Sequence, residues 1–133
     1  MIELKRTKGK NSTPYIITIC GSLRFTRFML IAHHELTSRG FMVFLPDINL
    51  EEKIPEGSSP FNEDAQVVHD AKISFGDAIY ICNIGGYIGE STFHEWKLAR
   101  KLGKQIFWHD FEIDESMEKT RELLAKFDKE GKK

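Results

Sequence analysis

Cysteine is scarce. Cys20 and Cys82 are the only two, too few for a disulfide framework or a four-thiolate zinc site. A reducing cytoplasm is therefore the expected compartment. No apolar run approaches the roughly 20 residues of a membrane span. The opening MIELKRTKGK carries no apolar core of a secretory signal, so no export is expected. Neither charge sign is in excess: 19 Lys and Arg against 20 Asp and Glu give −1. That balance excludes the basic surface expected of a nucleic-acid-coating protein, and no nucleic-acid or membrane partner is expected. Repeats and low-complexity tracts are absent. Disorder is excluded as well, because 41% of the residues are hydrophobic and 29% charged. The 133 residues (1–133) suit a single domain. Such a chain buries about two thirds of its unfolded surface.

What is present is an alternation of short apolar runs and helical patterns, the signature of parallel βαβ units. Tyr15 to Cys20, YIITIC, is short and β-branched, as a buried strand should be. A helix is predicted from Thr26 to Arg39, with Phe25, Phe28, Met29, Ala32 and Leu36 forming an apolar stripe and Gly40 as its stop. Phe41 to Leu45 is a second strand. The longest loop, Asp47 to Asn62, follows Pro46 and contains Pro55 and Pro60. A second helix is predicted over Glu63 to Phe75, with Val67, Val68, Ala71 and Phe75 apolar. The third strand is Ala78 to Cys82, the third helix Ser91 to Leu102, and the fourth strand Gln105 to Trp108. A final amphipathic helix is expected over Ser116 to Lys129, marked by Met117, Leu124 and Phe127.

This pattern predicts an open, mostly parallel sheet with helices on both faces and strand order 2-1-3-4. In such sheets ligands bind outside the carboxyl ends of the strands, where the order reverses. Here that point lies between the first and third strands. The loops leaving those strands are also the two most unusual local sequences.

The first reads Cys20-Gly21-Ser22-Leu23-Arg24. A glycine after a strand lets the backbone approach a ligand. Amides at a helix start receive phosphate, and Ser22 and Arg24 add a hydroxyl and a positive charge. The same residues also make an ordinary strand-to-helix turn with Arg24 solvated. The second loop, Asn83 to Thr92, holds Gly85, Gly86 and Gly89, more glycine than a simple connector needs. Such a loop can present amides to a ligand. It is neither a P-loop nor a complete dinucleotide-binding fingerprint. Tyr87 within it can stack on a base or fill the loop core.

Glu95 follows, in the predicted first turn of the third helix. A carboxylate there can attack an anomeric carbon or stabilise the positive charge that builds when an N-glycosidic bond breaks. The competing structural reading is a capping box, Thr92-x-x-Glu95, with Glu95 bonded back to the Thr92 amide. Glu90 reads as a loop charge. On the second helix His69 can donate a proton near neutral pH, and Asp70 can do so with a raised pKa. Both also suit an exposed helix surface. His33-His34-Glu35 lacks the spacing of a helical zinc site, and no metal is expected there. Cys20 and Cys82 end neighbouring strands and read as small buried hydrophobes.

At these residues the sequence resembles the superfamily of nucleoside 2-deoxyribosyltransferases and deoxynucleoside 5′-monophosphate N-glycosidases, from about Ile16 to Trp108. The matching elements are Cys20-Gly21-Ser22-Leu23-Arg24, Asp77, the stretch Gly86-Tyr87-Ile88-Gly89-Glu90-Ser91-Thr92 leading to Glu95 and Ala99, and Gly103-Lys104. The resemblance extends to small bacterial and phage proteins with a His-x-x-Lys-Ile segment, here His69 to Ile73. It implies a flavodoxin-like three-layer α/β/α sandwich. It implies a cytoplasmic enzyme that cleaves the N-glycosidic bond of a nucleoside or its monophosphate. Glu95 would be the nucleophile. Gly21, Ser22, Arg24 and the Ser91 region would contact the sugar or 5′-phosphate, and the second glycine loop, by its own sequence, adds Gly86, Tyr87 and Gly89 to the expected substrate contacts. No metal or organic cofactor is implied, and a homodimer is. One position departs from the pattern: the family's second carboxylate should fall where His69 stands, and Asp70 is one residue off, about 100° around a helix. Two other functions remain open. One is a non-catalytic nucleotide-binding module. The other is a nucleotide phosphoribohydrolase, whose Gly-Gly-x-Gly-Thr-x-x-Glu loop is loosely echoed by Gly85 to Glu95.

Overall fold

The structure, a computed structural model, describes residues 14–48 and 63–110. Four strands alternate with three helices: β1 (Ile16–Cys20), α1 (Thr26–Ser38), β2 (Met42–Phe44), α2 (Glu63–Phe75), β3 (Ala78–Ile81), α3 (Glu90–Lys101) and β4 (Gln105–Trp108). All pairings are parallel and the order is β2-β1-β3-β4, as the sequence pattern predicts. The final helix expected over Ser116 to Lys129, and most of the Asp47 to Asn62 loop, lie outside the described residues. No helix among the described residues is long and apolar enough to cross a membrane.

The central strands are apolar on both sides because helices cover both faces. Ile17, Ile19, Ala78, Tyr80 and Cys82 face α1, where they pack on Met29, Ala32 and Leu36. Cys20, Ile79 and Ile81 face the opposite layer and pack with Ile73, Phe93, Trp96 and Ala99 of α2 and α3. The result is a flavodoxin-like α/β/α sandwich. Gly40 (φ 94°) and Gly103 (φ 69°) follow the ends of α1 and α3, where left-handed backbone stops a helix.

Two expectations about helices need correcting. The four apolar residues that marked α2 in the sequence do not face the core: Val67 is 67% exposed, Phe75 71%, and Val68 and Ala71 are exposed too. Its buried positions are His69 and Ile73, flanked by half-buried Gln66 and Asp70. Positions 66, 69, 70 and 73 share one helix face, which the fold turns towards α3 and the end of β1. Secondly, α3 begins at Glu90 rather than Ser91, with Gly89 as its N-cap and no side-chain cap. Glu95 therefore sits in the second turn and the capping box does not form. Thr92 is buried instead.

Candidate active site

The strand order reverses between β1 and β3, and the Cys82 amide donates to the Cys20 carbonyl just past it (2.8 Å). Both glycine loops leave from this point. Gly21 is held tightly: a Cβ there would lie 3.2 Å from the Cys82 carbonyl oxygen and 3.1 Å from Met29 Sδ. Ser22 caps the following 3-10 turn, its Oγ accepting from the Arg24 amide (3.4 Å). In the second loop Gly85 (φ 66°) and Gly86 (φ 83°) take left-handed backbone that a side chain would strain. Tyr87 is buried and joins the two loops. Its ring meets Phe25 edge-on (5.8 Å), and the Arg24 guanidinium lies 4.6 Å from its centroid. Arg24 is thus not simply solvated, and Tyr87 fills the loop core. Gly89 is buried, and Ser91 is exposed on the first turn of α3.

Beneath these loops three buried side chains converge: Cys20 from the end of β1, His69 from α2 and Glu95 from α3. Their ligand-type atoms all lie within 4.8 Å of one another. Glu95 is only 5% exposed and His69 3%, so His69 is not the solvent-facing residue that its helix position also allowed. Gln66 donates from Nε2 to Glu95 Oε2 (2.8 Å) and to Asp70 Oδ1 (2.9 Å). Asp70 Oδ2 in turn contacts exposed His94 Nε2 at 2.8 Å. A chain of polar contacts therefore runs from the surface to Glu95.

Burial dominates the electrostatics. It raises Glu95 to about 7, with Asp70 pushing the same way and the Gln66 and Cys20 contacts opposing. His69 falls to about 4, through burial and then Lys72, with Asp70 and the Ile19 carbonyl opposing. The Cys20 thiol is pushed well up, chiefly by burial and then by Glu95. His69 Nε2 lies 3.7 Å from Glu95 Oε2. These pKa directions make that contact one between a neutral imidazole and a largely protonated acid around pH 6, not an ion pair. The Ile19 carbonyl is near enough to favour the protonated ring, yet neither ring nitrogen of His69 meets hydrogen-bond geometry with a protein group.

The structure thus brings Glu95 and His69 together and holds Asp70 one step behind, on Gln66. Sequence reasoning missed Gln66 and His94, and treated Cys20 as mere filling. The signal for Gln66 was its spacing from Asp70, one helical turn. Asp77 serves the sheet instead, where its Oδ2 accepts from the Ile16 amide (2.8 Å) and ties β3 to β1.

No protein-family model matches this sequence, and no curated protein does. Solved structures do. The fold and site define a flavodoxin-like protein with a buried Cys–His–Glu cluster at the topological switch point. That fold is shared with the 2-deoxyribosyltransferase of Bacillus psychrosaccharolyticus, at a TM-score of 0.54 and 20% identity, over 77% of this chain and 78% of that one. It is also shared with a 2-desoxiribosyltransferase from Leishmania mexicana, at 0.51 and 17%, over 80% and 71%. The resemblance drawn from the sequence therefore holds at the level of the fold.

Proposed function

We propose that this protein cleaves the N-glycosidic bond of a nucleoside, deoxynucleoside or its 5′-monophosphate, with Glu95 as nucleophile. The observation that carries this reading is the buried Glu95–His69 contact at the carboxyl end of β1, where this fold class binds ligands. The two solved neighbours named as 2-deoxyribosyltransferases support the substrate class.

The chemistry follows from one proton. Around pH 6 it sits on Glu95, and it must leave before the carboxylate can attack. His69 Nε2, 3.7 Å away, is where it goes. Burial holds His69 below its ordinary value and Glu95 above its own, so this transfer is uphill in the free protein, and the attraction between the two charges it creates, 3.7 Å apart, offsets part of the cost. Glu95 then bonds to the anomeric carbon. The bond to the base breaks with its electron pair, and the base takes the proton from His69. Water or a second base releases the sugar from Glu95. Gln66 steadies the carboxylate and Asp70 steadies Gln66. Ser22, Arg24 and Ser91 line the rim that receives sugar and phosphate, and Gly21, Gly86, Tyr87 and Gly89 shape the two loops that carry it. A cytoplasmic homodimer belongs to the same reading, and sedimentation tests its dimeric part.

The test is incubation with a panel of ribo- and deoxynucleosides and their monophosphates, with free base measured by chromatography. Release by the wild type, lost in E95A, supports the proposal. Mass spectrometry of acid-quenched enzyme should then find a sugar adduct on the peptide containing Glu95. Thermal stabilisation by a nucleotide with no base released would identify a binding module instead. Equal release by E95A would remove Glu95 from the chemistry.

A further inference from the structure

We propose that Cys20, His69 and Glu95 form a binding site for a thiophilic divalent cation of the zinc class, and that its occupancy switches the glycosidic site off. The inhibitory half rests on the function proposed above; the binding half does not.

The three residues supply one soft sulfur, one imidazole nitrogen and one carboxylate oxygen, a donor set that suits zinc. They come from three separate elements and converge at one point, with every pair of donor atoms within 4.8 Å. Tetrahedral zinc, with bonds of about 2.0–2.3 Å, needs donors about 3.5 Å apart. His69 Nε2 and Glu95 Oε2 already lie at 3.7 Å. The cluster has to contract by about an ångström at its widest. A second, independent observation points to a ligand. Both ring nitrogens of His69, whose side chain is 4% exposed, lack hydrogen-bond geometry with any protein group, which is rare for buried polar groups. A cation would satisfy one of them.

Charge balances too. The thiolate and carboxylate together cancel the two positive charges, and binding releases to solvent the thiol proton and any proton that Glu95 carries. Gln66, donating to Glu95 Oε2 at 2.8 Å, fixes the orientation of the carboxylate ligand. Three protein ligands leave a fourth position open. A metal seated here engages the same carboxylate that would attack the sugar, so cation and substrate exclude each other.

The intact protein, stripped with chelator and reduced, is titrated with cobalt(II) chloride and read by absorption. Tetrahedral cobalt with one thiolate gives a near-ultraviolet charge-transfer band and visible bands. Both are expected in the wild type, and the near-ultraviolet band should vanish in C20S. H69A is the second variant should C20S fail to fold, and it should lose the tetrahedral visible bands. In zinc competition against a chromophoric chelator, Q66A should bind about 10- to 100-fold more weakly than the wild type. Absence of any thiolate band in the wild type overturns the proposal. So does its survival in C20S, which would place the metal elsewhere. Base release is measured separately in chelator. Release without a cobalt band overturns the metal site alone, and a cobalt band without release keeps the site and removes the glycosidic reading. Where both are seen, zinc should suppress release and chelator restore it. Undiminished release in saturating zinc overturns the switch.

Discussion

Replacing Glu95 with Gln should stabilise the protein in a pH-dependent way. The carboxyl group ionises near 7 in the folded chain, against an ordinary value of 4.5. Its folded pKa is raised, so its contribution to stability is fully present below about 4.5 and disappears as pH rises through 7. The shift of 7 − 4.5 = 2.5 units corresponds to a loss of about 3 kcal/mol, an upper figure because buried sites relax. Gln has the same shape, can still accept from Gln66, and carries no proton to lose. Any cost of the amide itself is constant with pH. His69 contributes oppositely: with its pKa lowered to about 4, its stability is present above 6.5 and lost as pH falls. To first order that contribution is shared by both proteins and cancels in the difference. Urea unfolding in EDTA, at intervals from pH 5 to pH 8.5, measures the gap between E95Q and wild type. It should open by about 2 to 3 kcal/mol towards E95Q as pH rises. A gap that stays constant across this range would show that Glu95 ionises normally, and the buried-acid reading would fall.

The same two groups shape the catalytic pH profile. The Glu95–His69 pair holds a single proton between about 4 and about 7, so kcat/KM should be bell-shaped with limbs near those values. Activity that keeps climbing above pH 8 would reject His69 as the carrier of that proton. Gly21→Ala forces a methyl group against the Cys82 carbonyl and should cost about 1–3 kcal/mol in urea unfolding. Ile79→Ala leaves a hole between β3 and the α2–α3 layer and should cost about 2–5 kcal/mol in the same assay. Val67→Lys, by contrast, should lie within about 0.5 kcal/mol of wild type, since that side chain faces solvent. A large loss there would restore the apolar stripe of α2 to the core.

The strands and the strand order were legible because parallel strands covered on both faces must read as short apolar runs. Glycines such as Gly40 and Gly103 mark helix ends by backbone geometry alone. Helix α2 was legible in extent and not in orientation. Its apolar residues outnumber the polar ones that the fold turns inward, and a pattern rule follows the majority. Gln66, His69 and Asp70 face inward because their partners stand on α3. Glu95 was visible as a candidate only beside a false alternative: Thr92 and Glu95 have the spacing of a cap, and one chain position cannot say which turn of a helix it occupies.

By itself the sequence determined the layers, the parallel sheet and the two glycine loops at the reversal of strand order, because local backbone preferences and hydrophobic spacing act over a few residues. Only the tertiary structure decided that Cys20, His69 and Glu95 meet, and that burial drives the acid up and the imidazole down. Those residues lie 26 to 75 positions apart along the chain. What brings them together is the packing of α2 and α3 over the end of β1, and the loss of water there shifts their protons.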